Sequence, residues 1–358
     1  MSTLALRLLV CAAVKRRPLL LALPVLVVAA AAAAFMWLAL RPALPSHPLD
    51  IAPRESIALL HMRPADLVAS QAFQRLVVER GHASGMQGVA DTCGFNPLEQ
   101  VDELVLVVLP GKDAGDGPNF AFALRGSLQE TAMIGCIRKV LGKRRGAKVE
   151  LGEVAGFPAL LSAHGDSVAA FVRSGEAVAG SRVAVERLLG RLDDSVASAR
   201  EQPGMVAAWQ RAAGNEPRPT THKEESPPVA SLTVAASMEG GLPTLPIPGV
   251  AALLGEVGRL LGEPRMVAGA LWVDDPVQGE LEMELADPSG AQGLAGSMRQ
   301  RVAGFAGHPL VRFSPAGAIL DKLEIQADGP WLGVRAMARV AQIGTLVDLL
   351  PTARKLIQ

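Results

Sequence analysis

The feature that most constrains the fold is a long stretch without charges near the start of the chain. Leu19–Leu40 comprises 22 residues and contains no Asp, Glu, Lys or Arg. At about 1.5 Å per residue, a helix of this length spans roughly 30 Å, the thickness of the hydrocarbon core of a bilayer. The sequence therefore predicts that residues 18–40 form a transmembrane helix.

Basic residues flank this stretch unequally and predict its orientation. Lys15, Arg16 and Arg17 directly precede it, whereas Arg41 is the one basic residue close behind it. Because Lys and Arg favour the cytoplasmic side of a membrane, residues 1–17 are expected to form a basic cytoplasmic tail. The rest of the chain is then expected in the periplasm, attached to a bacterial inner membrane by a single pass. A cleaved signal peptide is the alternative, but its apolar region normally has only about 7–15 residues.

The remaining chain has the composition of a folded and mildly acidic protein. Of 358 residues, 49% are hydrophobic and 20% are charged, which excludes a mainly disordered chain. Four of the 35 basic residues and none of the 35 acidic residues lie before residue 41. The exported part thus has 31 basic and 35 acidic residues, a net charge of −4. Nothing in this charge favours a nucleic acid as partner.

Two short segments have the composition of connections rather than of core. Residues 41–52 contain three prolines and are predicted to form a stiff, extended spacer. Residues 214–228 contain no Leu, Ile, Val or aromatic residue, so they are predicted to form a polar linker. These segments leave two candidate folded regions, 53–213 and 229–358.

The two candidate regions repeat the same order of elements. Short apolar strands alternate with segments whose apolar residues recur at helical spacing, in the order β-α-β-β-α-β-β-α in each region. The fold class is therefore predicted to be α+β, with two related antiparallel-sheet lobes and helices packed on one face of each sheet. A single continuous sheet that spans both halves is the alternative.

Two cysteines, Cys93 and Cys136, lie beyond the apolar stretch. An exported location is oxidising, so a disulfide between them is predicted. Closing a loop of this length is worth about 3–4 kcal/mol in the chain-entropy model. Two separately buried thiols are the alternative. Neither cysteine belongs to a Cys-x-x-Cys motif, so a redox-active or zinc site is not expected.

Three parts of the chain carry a resemblance to known proteins. They are the apolar stretch, the strand-helix opening Ile57–Arg80, and the segment Cys-Gly-Phe-Asn-Pro-Leu-Glu-Gln-Val-Asp that ends at Asp102. Together they resemble a loose group of uncharacterised bacterial envelope proteins, in which Asp is common at the position of Asn96. The resemblance implies one N-terminal membrane anchor and a duplicated α+β exported region. It implies no catalytic residues.

The chain contains no recognisable motif for catalysis or for a cofactor. It lacks the Gly-x-Ser-x-Gly, Ser-x-x-Lys and His-Glu-x-x-His patterns, and no two of its histidines are three or four residues apart. Glu280, Glu282 and Glu284 alternate along a predicted strand, which predicts a solvent-facing sheet surface more than a calcium site. No enzyme activity, metal or cofactor is therefore predicted. A hydrolase with dispersed catalytic residues near His61 or His164 is the alternative.

A basic cluster marks the end of one predicted helix. It has six basic residues within eleven positions, namely Arg138, Lys139, Lys143, Arg144, Arg145 and Lys148. Cations at this position complement the partial negative charge of a helix C-terminus, and such an end is commonly just solvated. The cluster is also a candidate contact for anionic lipid headgroups, a cell-wall polymer or an acidic partner.

The function expected from these features is that of a non-catalytic binding or structural module of the bacterial envelope. Its partner is expected to be another envelope protein, a lipid or a glycan. The anchor, the two exported cysteines and the lack of catalytic motifs favour this interpretation. A lipid-handling module with an apolar cavity between sheet and helices is the alternative.

The orientation of the anchor gives a first prediction. A phosphatase reporter that folds only outside the cytoplasm, fused after Gln358, should be active, because the basic residues before the apolar stretch hold the N-terminus inside. A β-galactosidase fused at the same position should be inactive. Active β-galactosidase would contradict the predicted topology.

Overall fold

The computed structural model describes residues 42–79, 84–111, 117–145, 149–214, 230–238 and 264–357. The chain divides after Ala43, and the fold below is that of the unit that begins at Leu44. The predicted tail, the predicted transmembrane helix and nearly all of the predicted linker lie outside the described residues, and so do Lys15, Arg16 and Arg17. Within the described part, no helix has the length and apolar character needed to cross a membrane.

Twelve antiparallel strands of the described residues form one sheet. The strands are β1 Ala58–Met62, β2 Val101–Leu109, β3 Asn119–Gly126, β4 Val149–Val154, β5 Phe157–Ser162, β6 Ser167–Arg173, β7 Glu176–Ser181, β8 Leu232–Ser237, β9 Pro264–Trp272, β10 Val277–Leu285, β11 Glu324–Asp328 and β12 Trp331–Ala338. Their order across the sheet is β11-β12-β10-β9-β8-β1-β2-β3-β7-β6-β5-β4.

The two halves of the chain meet at the pair β1–β8, where Leu60 lies opposite Val234. Outward from this pair, the first half runs β1, β2, β3, β7, β6, β5, β4 and the second runs β8, β9, β10, β12, β11. The strand order therefore repeats over five strands, and the first half has two additional strands, β5 and β4, at its outer end. The expectation of two separate sheets is wrong, because the first strands of the two halves pair with each other and neither is left as an exposed edge.

The helices lie before, between and after these strands. They are α1 Pro48–Ile51, α2 Pro64–Ala69, α3 Gln71–Phe73 with a π turn at Gln74–Val78, α4 Ser84–Cys93, α5 Glu130–Arg145, α6 Arg182–Leu189, α7 Pro203–Gly214, α8 Pro288–Ala306, α9 Pro309–Arg312, α10 Pro315–Leu320 and α11 Val340–Ile357. The last helix continues through Pro351, although a proline commonly ends a helix. The apolar residues of 250–261, whose spacing predicts a helix, lie outside the described residues.

Helices cover both faces of the sheet, which corrects the expectation of one covered face. On the first face, Leu59 and Val107 pack in one core with Leu188 of α6 and Trp209 of α7. On the second face, α5 covers the first-half end and packs on Phe171, among others. The helix α8 covers the second-half end of the same face. Central strands such as β2 are apolar on both sides, so both sides must be removed from water.

The predicted spacer is in fact part of the core from Leu44 onward. Leu44, Leu49 and Ile51 are all buried. Arg125 of β3 donates hydrogen bonds to the carbonyl oxygen of Leu44 at 2.9 Å and to that of Pro45 at 3.0 Å. Closely spaced prolines are typical of an extended spacer, but the apolar side chains beside them pack into the core. The buried clusters of the described residues lie within the unit that begins at Leu44, so this unit has its own core and is expected to fold by itself.

The carboxylate of Glu176 completes this attachment, and it is only 3% exposed. It accepts hydrogen bonds from the Leu44 amide at 2.8 Å, from Arg173 at 2.8 Å and from Arg125 at 3.2 Å. Burial by itself raises the pKa of Glu176, but these hydrogen bonds outweigh it, so the pKa lies below its ordinary value. The charged form of Glu176 therefore stabilises the fold.

The lowered pKa makes this contribution dependent on pH. It is fully present above the ordinary Glu pKa of 4.5 and is lost as the pH falls through the lower folded value. Glu176→Gln should lower the unfolding free energy by roughly 2–3 kcal/mol at pH 7, because hydrogen bonds to a charged group are lost. The difference from wild type should shrink as the pH falls below 4.5. Urea denaturation of residues 42–358 across this range measures it.

A matched control is Glu150→Gln, since Glu150 is an exposed carboxylate on β4. Its removal should change the unfolding free energy little at either pH. A Glu176→Gln deficit that stays constant from pH 7 to pH 3.5 would contradict the role assigned to the charge.

Candidate functional site

A disulfide joins α4 to α5, as the sequence predicted. Cys93 is the last residue of α4, and Cys136 lies in the middle of α5. Their Cα atoms are 4.6 Å apart although 43 positions separate them in the sequence. The bond therefore holds α4 against α5, although strands β2 and β3 separate the two helices in the sequence.

An apolar groove of about 450 Å³ lies between this helix pair and the second face of the sheet. Helix α5 contributes Met133, Ile137 and Val140, which follow one another at the spacing of a single helical face. Strand β3 contributes Phe120 and Phe122, which alternate onto the same side of the sheet. The size of the groove falls in the range of about 300–1,000 Å³ that is typical of ligand sites.

The chemistry of the groove is almost purely apolar. Its lining includes Ser162 and Ser167 but no charged side chain. Cys136 also lines it, and this residue is oxidised in the disulfide. The described lining of the groove therefore offers no titratable side chain, and its chemistry suits an apolar ligand.

Part of the basic cluster predicted from the sequence lies on the helix that lines the groove, but on its outer side. Arg138 and Lys139 directly follow the groove residue Ile137 on α5, and both are exposed. No carboxylate of the described residues forms an ion pair with either of them. The side chains of Lys143, Arg144 and Arg145, and the whole of Lys148, lie outside the described residues. The described part of α5 thus carries positive charge on the side turned away from the groove.

A second pocket, on the first face of β10 and β12, is polar and is lined by two arginines and four carboxylates. Its volume is about 340 Å³. Glu280 accepts from Arg335 at 2.7 Å, and Glu282 accepts from Arg211 at 2.9 Å. Burial raises the pKa of Glu280 above its ordinary value despite the nearby Arg335. Glu280 and Glu282 are therefore paired with arginines instead of facing open solvent as predicted. No group of three possible metal ligands occurs among the described residues.

The two histidines considered for catalysis are not paired with a nucleophile. Nε2 of His61 lies 3.1 Å from Oε1 of Glu103, and its ring meets Trp209 edge-on at 6.3 Å. Burial raises the pKa of Glu103, but the nearby His61 and Arg125 bring it below its ordinary value. His164 is exposed in the turn between β5 and β6. In the part of the chain that the structure describes, no Ser, Thr or Cys side chain is hydrogen-bonded to either histidine.

Comparisons with known proteins leave this site unassigned. No family model and no curated protein matches the sequence. Among solved structures, crystal form III of TP0453 is 9% identical with a TM-score of 0.47, covering 85% of this chain and 99% of that one. Crystal form I is 10% identical with a TM-score of 0.43, covering 85% and 97%. At these values the likeness assigns neither a ligand nor an activity to this chain.

Sequence reasoning missed the groove because it missed α4. That helix contains Gly85 and Gly88, which lower helix propensity, and it has no long apolar stripe. The available signals were the two cysteines and the apolar face of α5. They indicated that α5 is buried on one side, but they could not show that a space remains beneath it.

The disulfide gives a prediction about stability. Replacing both Cys93 and Cys136 by Ser should lower the unfolding free energy by about 2–4 kcal/mol, because the unfolded chain gains the freedom of the opened loop. Urea denaturation of the full chain under oxidising conditions measures the change. Cys11→Ser is the control and should leave the value unchanged. An equally stable double variant would show that the bond does not constrain the fold.

Proposed function

We propose that this protein is a non-catalytic module of the bacterial envelope that binds the acyl chain of an anionic lipid in the groove between α4–α5 and the sheet. The observation that carries the proposal is the apolar groove of about 450 Å³ with no charge in its lining. Arg138 and Lys139, exposed on the outer side of the same helix, add positive charge within about one helix diameter of the groove and favour a lipid with a negatively charged headgroup.

The energetics of such binding suit a reversible lipid carrier or sensor. Each buried methylene contributes about 0.8 kcal/mol, so eight to ten methylenes contribute roughly 6–8 kcal/mol. Ordering of the chain and loss of its free motion offset part of this gain. A dissociation constant weaker than micromolar is therefore expected, since 1 μM corresponds to about 8 kcal/mol, the whole of the gain before this offset.

The proposed location rests on the sequence. The uncharged stretch at 18–40 and the basic residues before it support a single anchor in the inner membrane, with the lipid-binding unit in the periplasm. The disulfide supports an oxidising compartment. In such a location the groove would take single lipids as cargo or as a signal.

Binding can be measured with a fluorescent fatty acid, dansyl-undecanoic acid, and the isolated unit 42–358. The probe should bind with enhanced and blue-shifted emission, since the dansyl group leaves water. Hexadecanoic acid should displace it. Hexadecanol should displace it more weakly and with less dependence on salt, because it lacks the charge that Arg138 and Lys139 attract.

Matched variants locate the site. Ile137→Glu places a carboxylate in the groove and should weaken binding at least tenfold, because an unpaired charge is costly there and repels the anionic head. Thr131→Glu is the control on the exposed side of the same helix and should bind normally. Unfolding curves establish that both variants are folded. Equal probe affinity of both variants, or no binding by wild type, would refute the proposal.

A further inference from the structure

A second surface, distant in sequence from the groove, combines aromatic and basic side chains. From Pro288 to Leu320 the chain contains no Asp or Glu, although the exported part as a whole has a net charge of −4. The same segment contains Arg299, Arg301 and Arg312, and all three are exposed. It is therefore a positive region on an otherwise acidic protein.

Two large aromatic side chains of this segment project into solvent. Phe305, in the last turn of α8, is 60% exposed, and Phe313, which follows α9, is 87% exposed. Phenylalanine is normally buried, so two such residues close together in one segment require an explanation.

The apolar stripe of α8 shows how Phe305 comes to be exposed. Ala291 and Ala295 are fully buried against the sheet, and Met298 and Val302 are partly buried next along the same stripe. Phe305 continues the stripe at the same spacing but lies beyond the part that the protein covers. The apolar stripe of α8 thus extends past the buried core, and Phe305 at its end can contact an apolar surface outside the protein.

The arginines are also available for external contacts. Within the described residues no ion pair links Arg301 or Arg312 to a carboxylate. The guanidinium of Arg312 lies 6.0 Å from the ring centroid of Phe313, within the range of a cation–π contact. Aromatic and cationic groups therefore point outward from the same short stretch.

We propose that this surface, formed by Phe305, Phe313, Arg301 and Arg312, binds the headgroup region of an anionic lipid bilayer. The phenylalanines enter the boundary between headgroups and acyl chains, and the arginines pair with lipid phosphates. A second copy of the chain fits this surface less well, because a symmetric contact would place the arginines of both copies together. The proposal rests on residues outside the groove and stands independently of lipid binding there.

The full chain, reconstituted into vesicles, provides the test. A photo-crosslinking benzoyl-phenylalanine is placed at position 313 and, as a control, at position 183, where Val183 is 52% exposed on α6. With phosphatidylglycerol in the vesicles, lipid adducts are expected at position 313 well above those at position 183. With phosphatidylcholine alone, the adducts at position 313 should fall towards the control level.

Substitutions separate a lipid contact from simple proximity to the vesicle. Arg301→Gln and Arg312→Gln should each lower the adduct yield at position 313 by up to about fivefold, which corresponds to the contribution of one basic residue near an anionic surface. Arg187→Gln, an exposed change on α6, should have no effect. Equal yields at positions 313 and 183, adducts insensitive to phosphatidylglycerol, or crosslinks to a second copy or to another protein would overturn the proposal.

Discussion

The pairing of β1 with β8 is the constraint on which the rest of the fold depends. It places the first strands of both halves side by side at the centre of one sheet, with Leu60 opposite Val234. Both strands then have neighbours along both edges, and their two faces must be covered by helices from different parts of the chain. The first face is closed by α1, α6 and α7, whereas the second face has α5 at one end and α8 at the other.

This division of cover explains why the two candidate surfaces lie where they do. At the first-half end, α5 is joined to α4 by the disulfide, and these two helices cover the sheet but leave the groove between themselves and the strands. At the second-half end, α8 fills its part of the sheet closely, but its apolar stripe continues to the exposed Phe305. The helices that cover the two halves thus differ. Helices α4 and α5 leave an apolar groove above the sheet, whereas α8 ends in an exposed apolar side chain.

Local patterns predicted the elements well, and long-range contacts account for what they missed. The α+β class and the disulfide agree with the sequence predictions, because apolar periodicity and cysteine count are read directly from the sequence. Which strand edges pair is decided across the chain, so the single sheet stood only as an alternative. The burial of Leu44 depends on Arg125 and Glu176, which lie far along the sequence. The groove depends on a gap between packed elements, and no sequence pattern encodes a gap.

The central claim is that an acyl chain occupies the groove, and paramagnetic NMR tests it most directly. In the unit 42–358 with labelled Met and Ile methyl groups, doxyl-labelled hexadecanoic acid is added in small excess. The signals of Met133 and Ile137 should broaden, because both line the groove. The signal of Met205 should stay sharp, since this residue is buried in the core of the other face. Unchanged Met133 and Ile137 signals, or equal broadening at Met205, would contradict the account.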